Sequence, residues 1–359
     1  SEMCIRDRNN RLVPQFKYGE QLDAKTLSLH ELLTSSYLKL VNPDVIHIHS
    51  ANPLFNVFTS AITKHHLGNK ATVIASLYST SFINPFHDLS LPKKMFMTFS
   101  KSFQVTMFLK VFTDLVIVFS RKGRETLQRR AGIKNILRFP HIIVDDELKE
   151  NQCGEMTKYF DSYDRVLFFA GDLTPYRGVE YALALLTFLK HENPIDGILL
   201  IIPDKGMYEK NIERRKTVVN LIRKYKLESN IKILGLIPRK ELGCVLSKAD
   251  AVLMPYTSRY AIMDIPLFLA ETMYVGGLII STKVGAIPEI LRDRVSGFLV
   301  KPDNINELVN IVEEILRDPD KYAYVRSNAK RIARRIFSRN NILSNIMKIY
   351  DSLHTTKAL

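Results

Sequence analysis

Short apolar, β-branched runs alternate along this chain with amphipathic stretches of helix length, and this alternation restricts the fold more than any other feature. Runs such as Ile198-Leu-Leu-Ile-Ile and Leu278-Ile-Ile-Ser are strand length and apolar at successive positions. Strands buried on both faces of a parallel sheet have this character. Strands are expected at residues 44–49, 72–77, 114–119, 166–170, 198–202, 231–234, 250–254, 278–281 and 298–300. With helices between them, the pattern predicts an α/β protein built on parallel sheets. At 359 residues the chain is longer than one compact core usually serves, so two domains are expected. The polar stretch Asp145–Asp164 lacks strong periodicity and reads as a linker with the entry to the second domain. The domains are therefore set at residues 9–150 and 151–337, with a closing helical segment at 338–359.

Local signals agree with this frame. Asn304 and Glu307 have capping-box spacing ahead of a stripe formed by Ile305, Leu308, Val309, Val312, Ile315 and Leu316, which predicts a helix over 304–316. Asp318-Pro-Asp320 falls between helices and reads as a turn. Residues 1–8 fit none of this pattern and read as a sequencing artefact, and the first domain is expected to lack one βα unit ahead of residue 44.

Composition narrows the classes. No apolar run approaches the ~20 residues of a membrane-spanning helix. Three cysteines, Cys4, Cys153 and Cys244, are sparse and odd in number, without metal-ligand spacing. That argues against a disulfide scaffold and a zinc site, and for a reducing cytoplasm. The net charge of +14 favours an anionic partner: nucleic acid, anionic lipid or a phosphorylated small molecule. No nucleic-acid-binding motif is present, so nucleic acid is not expected.

Two places carry candidate chemistry. Strand Val166-Leu-Phe-Phe-Ala runs into Gly171-Asp-Leu-Thr-Pro-Tyr-Arg-Gly178, followed by a helix from Val179. A glycine turn between strand and helix lets backbone N–H groups approach an anion, and the helix N-terminus adds positive potential. Arg177 offers a planar fork suited to two phosphate oxygens. Further on, Glu271 is read at the start of a helix after Ile265-Pro-Leu-Phe-Leu-Ala. A carboxylate there can accept both hydrogen bonds from a ribose diol.

These segments, with Lys283-Val-Gly-Ala-Ile-Pro-Glu-Ile and Val295-Ser-Gly-Phe-Leu-Val, resemble the nucleotide-sugar half of family 4 (group 1) retaining glycosyltransferases. The resemblance is close over residues 165–355 and loose over 42–145. It implies the GT-B architecture, two Rossmann-like domains with parallel sheets facing across a cleft. It also implies transfer of a sugar from a nucleoside diphosphate sugar to an acceptor hydroxyl on a lipid-linked or glycan molecule, with no metal or other cofactor. On this resemblance Gly171, Arg177, Gly178, Glu271, Gly285 and Glu289 form the donor site. Arg177 matches the second of two basic residues that grip the diphosphate, while Asp172 stands where the first would be. Asp172 is then expected to turn away, or Lys205 to substitute for the missing base. The family pairs two glutamates; Glu271 matches the second, the first falls at Met263, and Asp264 can stand in to position the sugar. Tyr78, in Ala75-Ser-Leu-Tyr, occupies the place of a family histidine near the transferring sugar. In the family the last helix crosses back onto the first domain.

His47 and His49 lie two apart on a strand and are expected to share one side, without a third ligand to suggest a metal. Residues 91–134 interleave lysines and arginines with phenylalanines, which permits an anionic membrane surface as partner and a peripheral place on the inner face of the cell membrane. The departures at Asp172, Met263 and Tyr78 support an alternative, a catalytically degenerate member that binds nucleotide or membrane.

Overall fold

The computed structural model describes residues 3–6, 12–13, 44–50, 53–68, 70–80, 105–140, 142–144, 147–191, 197–204, 209–258 and 263–357. The chain forms two compact units, residues 1–141 with 343–359, and residues 142–342.

In the first unit, β1 (Met3–Arg6), β2 (Leu12–Val13), β3 (Val45–Ser50), β4 (Thr72–Leu77), β5 (Leu115–Val118) and β6 (Ile136–Arg138) form one sheet in the order β2-β1-β3-β4-β5-β6. Strands β3 to β6 are parallel, whereas β1 lies antiparallel to β3, with Cys4 opposite His47. Within residues 1–8, read as a sequencing artefact, Met3–Arg6 is β1. Helices α1 (Pro53–Leu67), α2 (residues 105–112) and α3 (Arg121–Thr126) follow β3, precede β5 and follow β5. Val105, Leu109 and Leu127 pack with Ala75, Leu77, Val116 and Val118 on one face of the sheet.

The second unit holds six parallel strands: β7 (Arg165–Phe169), β8 (Ile198–Pro203), β9 (Ile231–Leu234), β10 (Ala251–Met254), β11 (Ile279–Thr282) and β12 (Phe298–Val300). Their order is β12-β11-β10-β7-β8-β9. Besides a short helix at Thr157–Ser162, its described helices are α4 (Val179–His191), α5 (Glu209–Lys224), α6 (Arg239–Lys248), α7 (Leu267–Val275), α8 (Ile287–Ile290), α9 (Ile305–Arg317) and α10 (Ala323–Phe337). One continuous core runs from Val179, Leu183 and Leu186 of α4 across Leu167, Leu200 and Leu253 of the sheet to Leu308, Val312 and Ile315 of α9. The predicted cap is present: the Asn304 Oδ1 accepts from the Glu307 N–H at 3.1 Å. Asp318 and Asp320 form the expected break between α9 and α10, where the Asp318 carboxylate accepts from the Lys321 N–H at 3.3 Å.

The same device fixes strand pairing in each unit. Asp114, just before β5, accepts the Val73 N–H at 2.7 Å, and Asp250, just before β10, accepts the Val166 N–H at 2.7 Å. Burial pushes the Asp250 carboxyl up, against the pull of the Val166 N–H and of Arg165 and Arg326.

Helix α11 (Arg339–Lys357) closes the chain, and Ile346, Ile349, Tyr350 and Leu353 pack with Val45, Ile74 and Ile117 of the first unit. No described helix is long and apolar enough to cross a membrane.

The cysteine expectation is corrected: Cys153 and Cys244, 91 positions apart, are joined by a disulfide. Cys244 lies on α6, and the turn carrying Cys153 packs against that helix. Such adjacency arises from folding and leaves no trace in spacing. The bond removes the cysteine-based argument for a reducing compartment.

Glu314 on α9 accepts from the Tyr322 hydroxyl and from Arg294, and these partners hold its carboxyl down at about 2. A depressed folded pKa gives stability that is present above the unfolded value and lost as pH falls through the folded one. Glu314→Gln should therefore flatten acid unfolding between about pH 4.5 and pH 2, read from Tm against pH. A wild-type acid limb in this variant would contradict the assignment.

Candidate functional site

In the second unit the sheet order reverses between β7 and β10, so the loops leaving these two strands meet at a topological switch point. Open α/β sheets hold ligands at such a point, beyond the carboxyl ends of the strands. Here β7 ends in the Gly171 turn, a short 3-10 turn spans Pro175–Arg177, and α4 begins at Val179. From β10 come Pro255 and Tyr256.

The two loops are bonded together. The Tyr256 hydroxyl donates to the Ala170 carbonyl at 3.1 Å, the Thr257 N–H donates to the Tyr176 carbonyl at 3.1 Å, and the Thr282 hydroxyl donates to the Tyr256 carbonyl at 2.6 Å. Burial pushes the Tyr256 phenol up to about 12, with Arg177 opposing, so it remains a donor at neutral pH. Gly178 has φ +79°, and a Cβ there would overlap the Pro255 carbonyl oxygen. The residue before α4 must therefore be glycine for the two loops to approach this closely.

Arg177 lies over the Tyr256 ring, 5.5 Å from its centroid. Its Nε is buried and has no hydrogen-bond partner in the protein. A buried unpaired donor costs about 1–3 kcal/mol, which an anionic acceptor would relieve. Asp172 does not turn away from this cation. Its Oδ1 accepts from the Thr174 N–H at 3.1 Å and the Thr174 hydroxyl at 2.5 Å, and lies 3.7 Å from the Arg177 Nε. The carboxylate thus folds back into its own turn and stays beside the guanidinium, outside hydrogen-bond reach.

Glu271 lies inside α7 rather than at a helix start, since the helix begins at Leu267. Leu269, Ala270, Thr272, Met273 and Val275 are buried around it, and a helix apolar on all sides is an interior helix. The Glu271 side chain is 2% exposed and pairs with Arg239, the first residue of α6. Arg239 was not predicted from sequence; its place at a helix start carries no local signal for a partner on another helix.

Gly285, at φ +61°, turns the chain after β11, and Glu289 sits half-buried on α8 beyond it. Asp264 is buried just before α7. Lys205 lies outside the described residues. A cavity of about 460 Å³ runs along α5 and is lined by Asp204, Arg215 and Lys216 among others; among the described residues, none of the predicted donor-site positions lines it. Among the described residues, no group of His, Cys, Asp or Glu side chains is placed to hold a metal ion.

Tyr78 belongs to the first unit. Its hydroxyl is 3.1 Å from the His49 Nδ1, and His49 stacks beside His47 with ring centroids 3.9 Å apart. His47 is buried between the Ser76 hydroxyl at 2.6 Å and the Tyr350 hydroxyl at 2.7 Å. The two histidines share one side, as their spacing predicts, and are held by hydroxyl groups.

A glycine turn at a switch point, a fork cation at a helix start and a buried carboxylate on a neighbouring helix lie on a second unit with the layout of a Rossmann-like domain. Comparison with known proteins is specific on this point: residues 158–332 match the profile of the family "Glycosyl transferases group 1". An uncharacterized glycosyltransferase of Methanocaldococcus jannaschii is 26% identical over 188 residues, covering 52% of this chain and 45% of that protein. N-acetyl-alpha-D-glucosaminyl L-malate synthase of Bacillus anthracis is 20% identical, covering 86% of this chain and 74% of that one. The chain spans about half the length of several curated relatives it matches, 45%, 54% and 47% of three of them. Among solved structures, Anabaena HepE in complex with UDP superposes with a TM-score of 0.71 at 19% identity, over 89% of this chain and 82% of that one. Sucrose-phosphate synthase from Thermosynechococcus elongatus superposes with a TM-score of 0.72 at 16% identity, over 98% and 86%. The fold is that of the GT-B glycosyltransferases.

Proposed function

We propose that this protein is a retaining glycosyltransferase that moves a sugar from a nucleoside diphosphate sugar to an acceptor hydroxyl in glycan, glycolipid or polysaccharide biosynthesis. The observation that carries the reading is the buried Arg177 Nε, without a hydrogen-bond acceptor in the protein, just before α4 and beside the Gly171 turn. A diphosphate oxygen satisfies that donor, and the helix N-terminus adds to the stabilisation of charge on the departing diphosphate. Glu271 accepts the ribose hydroxyls. Asp264 positions the sugar. The matched family and the HepE structures holding UDP and UDP-glucose support a nucleotide-sugar donor. The chemistry assigned here needs no protein nucleophile and no metal.

Asp172 is the departure that most affects donor binding, because a carboxylate beside Arg177 opposes a diphosphate. Asp172→Asn keeps an acceptor for Thr174 and removes the charge. It should tighten UDP binding by a fewfold, on the order of 1 kcal/mol. Isothermal titration calorimetry reads this directly; weaker binding in the variant would show that Asp172 assists the site.

A second reading concerns the acceptor. Met107, Phe108, Lys110 and Val111 are exposed on α2, and Arg121, Lys122, Arg124, Arg129 and Lys134 are exposed in the segment that follows it. Lys93, Lys94 and Lys101 of the same segment lie outside the described residues. Apolar side chains bordered by cations suit an anionic membrane surface, where a lipid-linked acceptor resides, and favour a peripheral place on the inner face of the cell membrane. Co-sedimentation should be seen with vesicles containing anionic lipid, fall with salt, and weaken in Lys122→Glu/Arg124→Glu. Equal binding to zwitterionic vesicles, or none at low salt, would remove the membrane from the account.

A further inference from the structure

Arg239 is placed on Glu271 by two helices that pack against each other, α6 and α7. The Arg239 side chain is 32% exposed, while that of Glu271 is 2% exposed. A buried carboxylate keeps its charge, and so its full set of acceptor sites, where a cation lies beside it. A guanidinium also holds a carboxylate in one orientation, because its donors form a rigid fork. Asp172 has already lessened the positive charge near the diphosphate, which leaves a larger share of donor affinity to the nucleoside end.

We propose that Arg239 is a positioning residue for the donor nucleoside: it holds Glu271 ionised and aimed, so that the carboxylate accepts the ribose hydroxyls and discriminates ribose from deoxyribose. The inference rests on the reading of the second unit as a donor site. It assigns Arg239 no contact with the sugar and no part in bond breaking.

The test uses the full chain and isothermal titration calorimetry with UDP, GDP, ADP and the 2′-deoxy form of each. Wild type should prefer one ribonucleoside diphosphate over its 2′-deoxy form by about tenfold or more, as expected for hydrogen bonds to a charged acceptor. Arg239→Gln should bring that ratio to within about twofold and leave the 2′-deoxy affinity nearly unchanged, since the diphosphate contacts remain. Arg239→Lys, which keeps a cation, should recover part of the preference. A role limited to folding would weaken both forms equally, and that result in a folded Gln variant overturns the proposal. So does a Gln variant with the wild-type ratio. If wild type binds a diphosphate without ribose preference, the proposal falls and the phosphate site stands. If wild type binds none of the six, the donor-site reading falls with it.

Discussion

Replacing Arg177 with alanine is expected to lower the rate of donor consumption at limiting substrate by roughly 30- to 800-fold, on the order of 2–4 kcal/mol of transition-state stabilisation. The size follows from placement. Arg177 sits at the start of α4, lies over the Tyr256 ring and has a buried Nε with no acceptor in the protein. Charge accumulates on the diphosphate as the bond to the sugar breaks, so a preorganised cation contributes more to the transition state than to the bound donor. The loss should therefore fall largely on kcat, with a smaller change in KM. Arg177→Lys should recover little, because a point charge cannot reproduce the fork. Release of nucleoside diphosphate from a donor sugar measures the effect; turnover at the wild-type rate in Arg177→Ala would remove Arg177 from the mechanism.

The second large effect is on stability. Gly178→Ala should cost about 4 kcal/mol or more, because a Cβ there overlaps the Pro255 carbonyl oxygen and the backbone stands at φ +79°. For a unit of this size that corresponds to a fall in Tm of roughly 10 °C. Gly235→Ala is the matched control, since a Cβ at that position meets nothing within 4 Å. Equal Tm values for the two variants would show that the β7 and β10 loops do not approach as described.

The strand pattern was legible because both-face burial writes itself into consecutive apolar residues. The expected strands at 72–77, 231–234 and 298–300 match β4, β9 and β12 residue for residue. Strand β6 escaped notice because Ile136–Arg138 holds only two apolar residues before an arginine, without the apolar run that marks a strand buried on both faces. The Gly171–Gly178 turn could be found because glycine placement between strand and helix is a local signal. Asp172 shows the limit of that reasoning: its charge was visible, but the Thr174 contacts that keep it beside Arg177 depend on the shape of the turn. The Cys153–Cys244 bond, the Arg239–Glu271 pair and the His47–Tyr350 hydrogen bond join residues far apart in sequence, and no local pattern pairs them.

The central claim is that the second unit binds the nucleoside diphosphate part of a donor through Arg177 and Glu271. It is tested most directly by thermal unfolding with UDP, GDP or ADP, on wild type and on Glu271→Ala. One nucleotide should raise the wild-type Tm by several degrees at ~100 Kd, where binding contributes about 2.7 kcal/mol, and the rise should vanish in Glu271→Ala. A folded wild-type protein whose Tm is unmoved by all three would contradict the account.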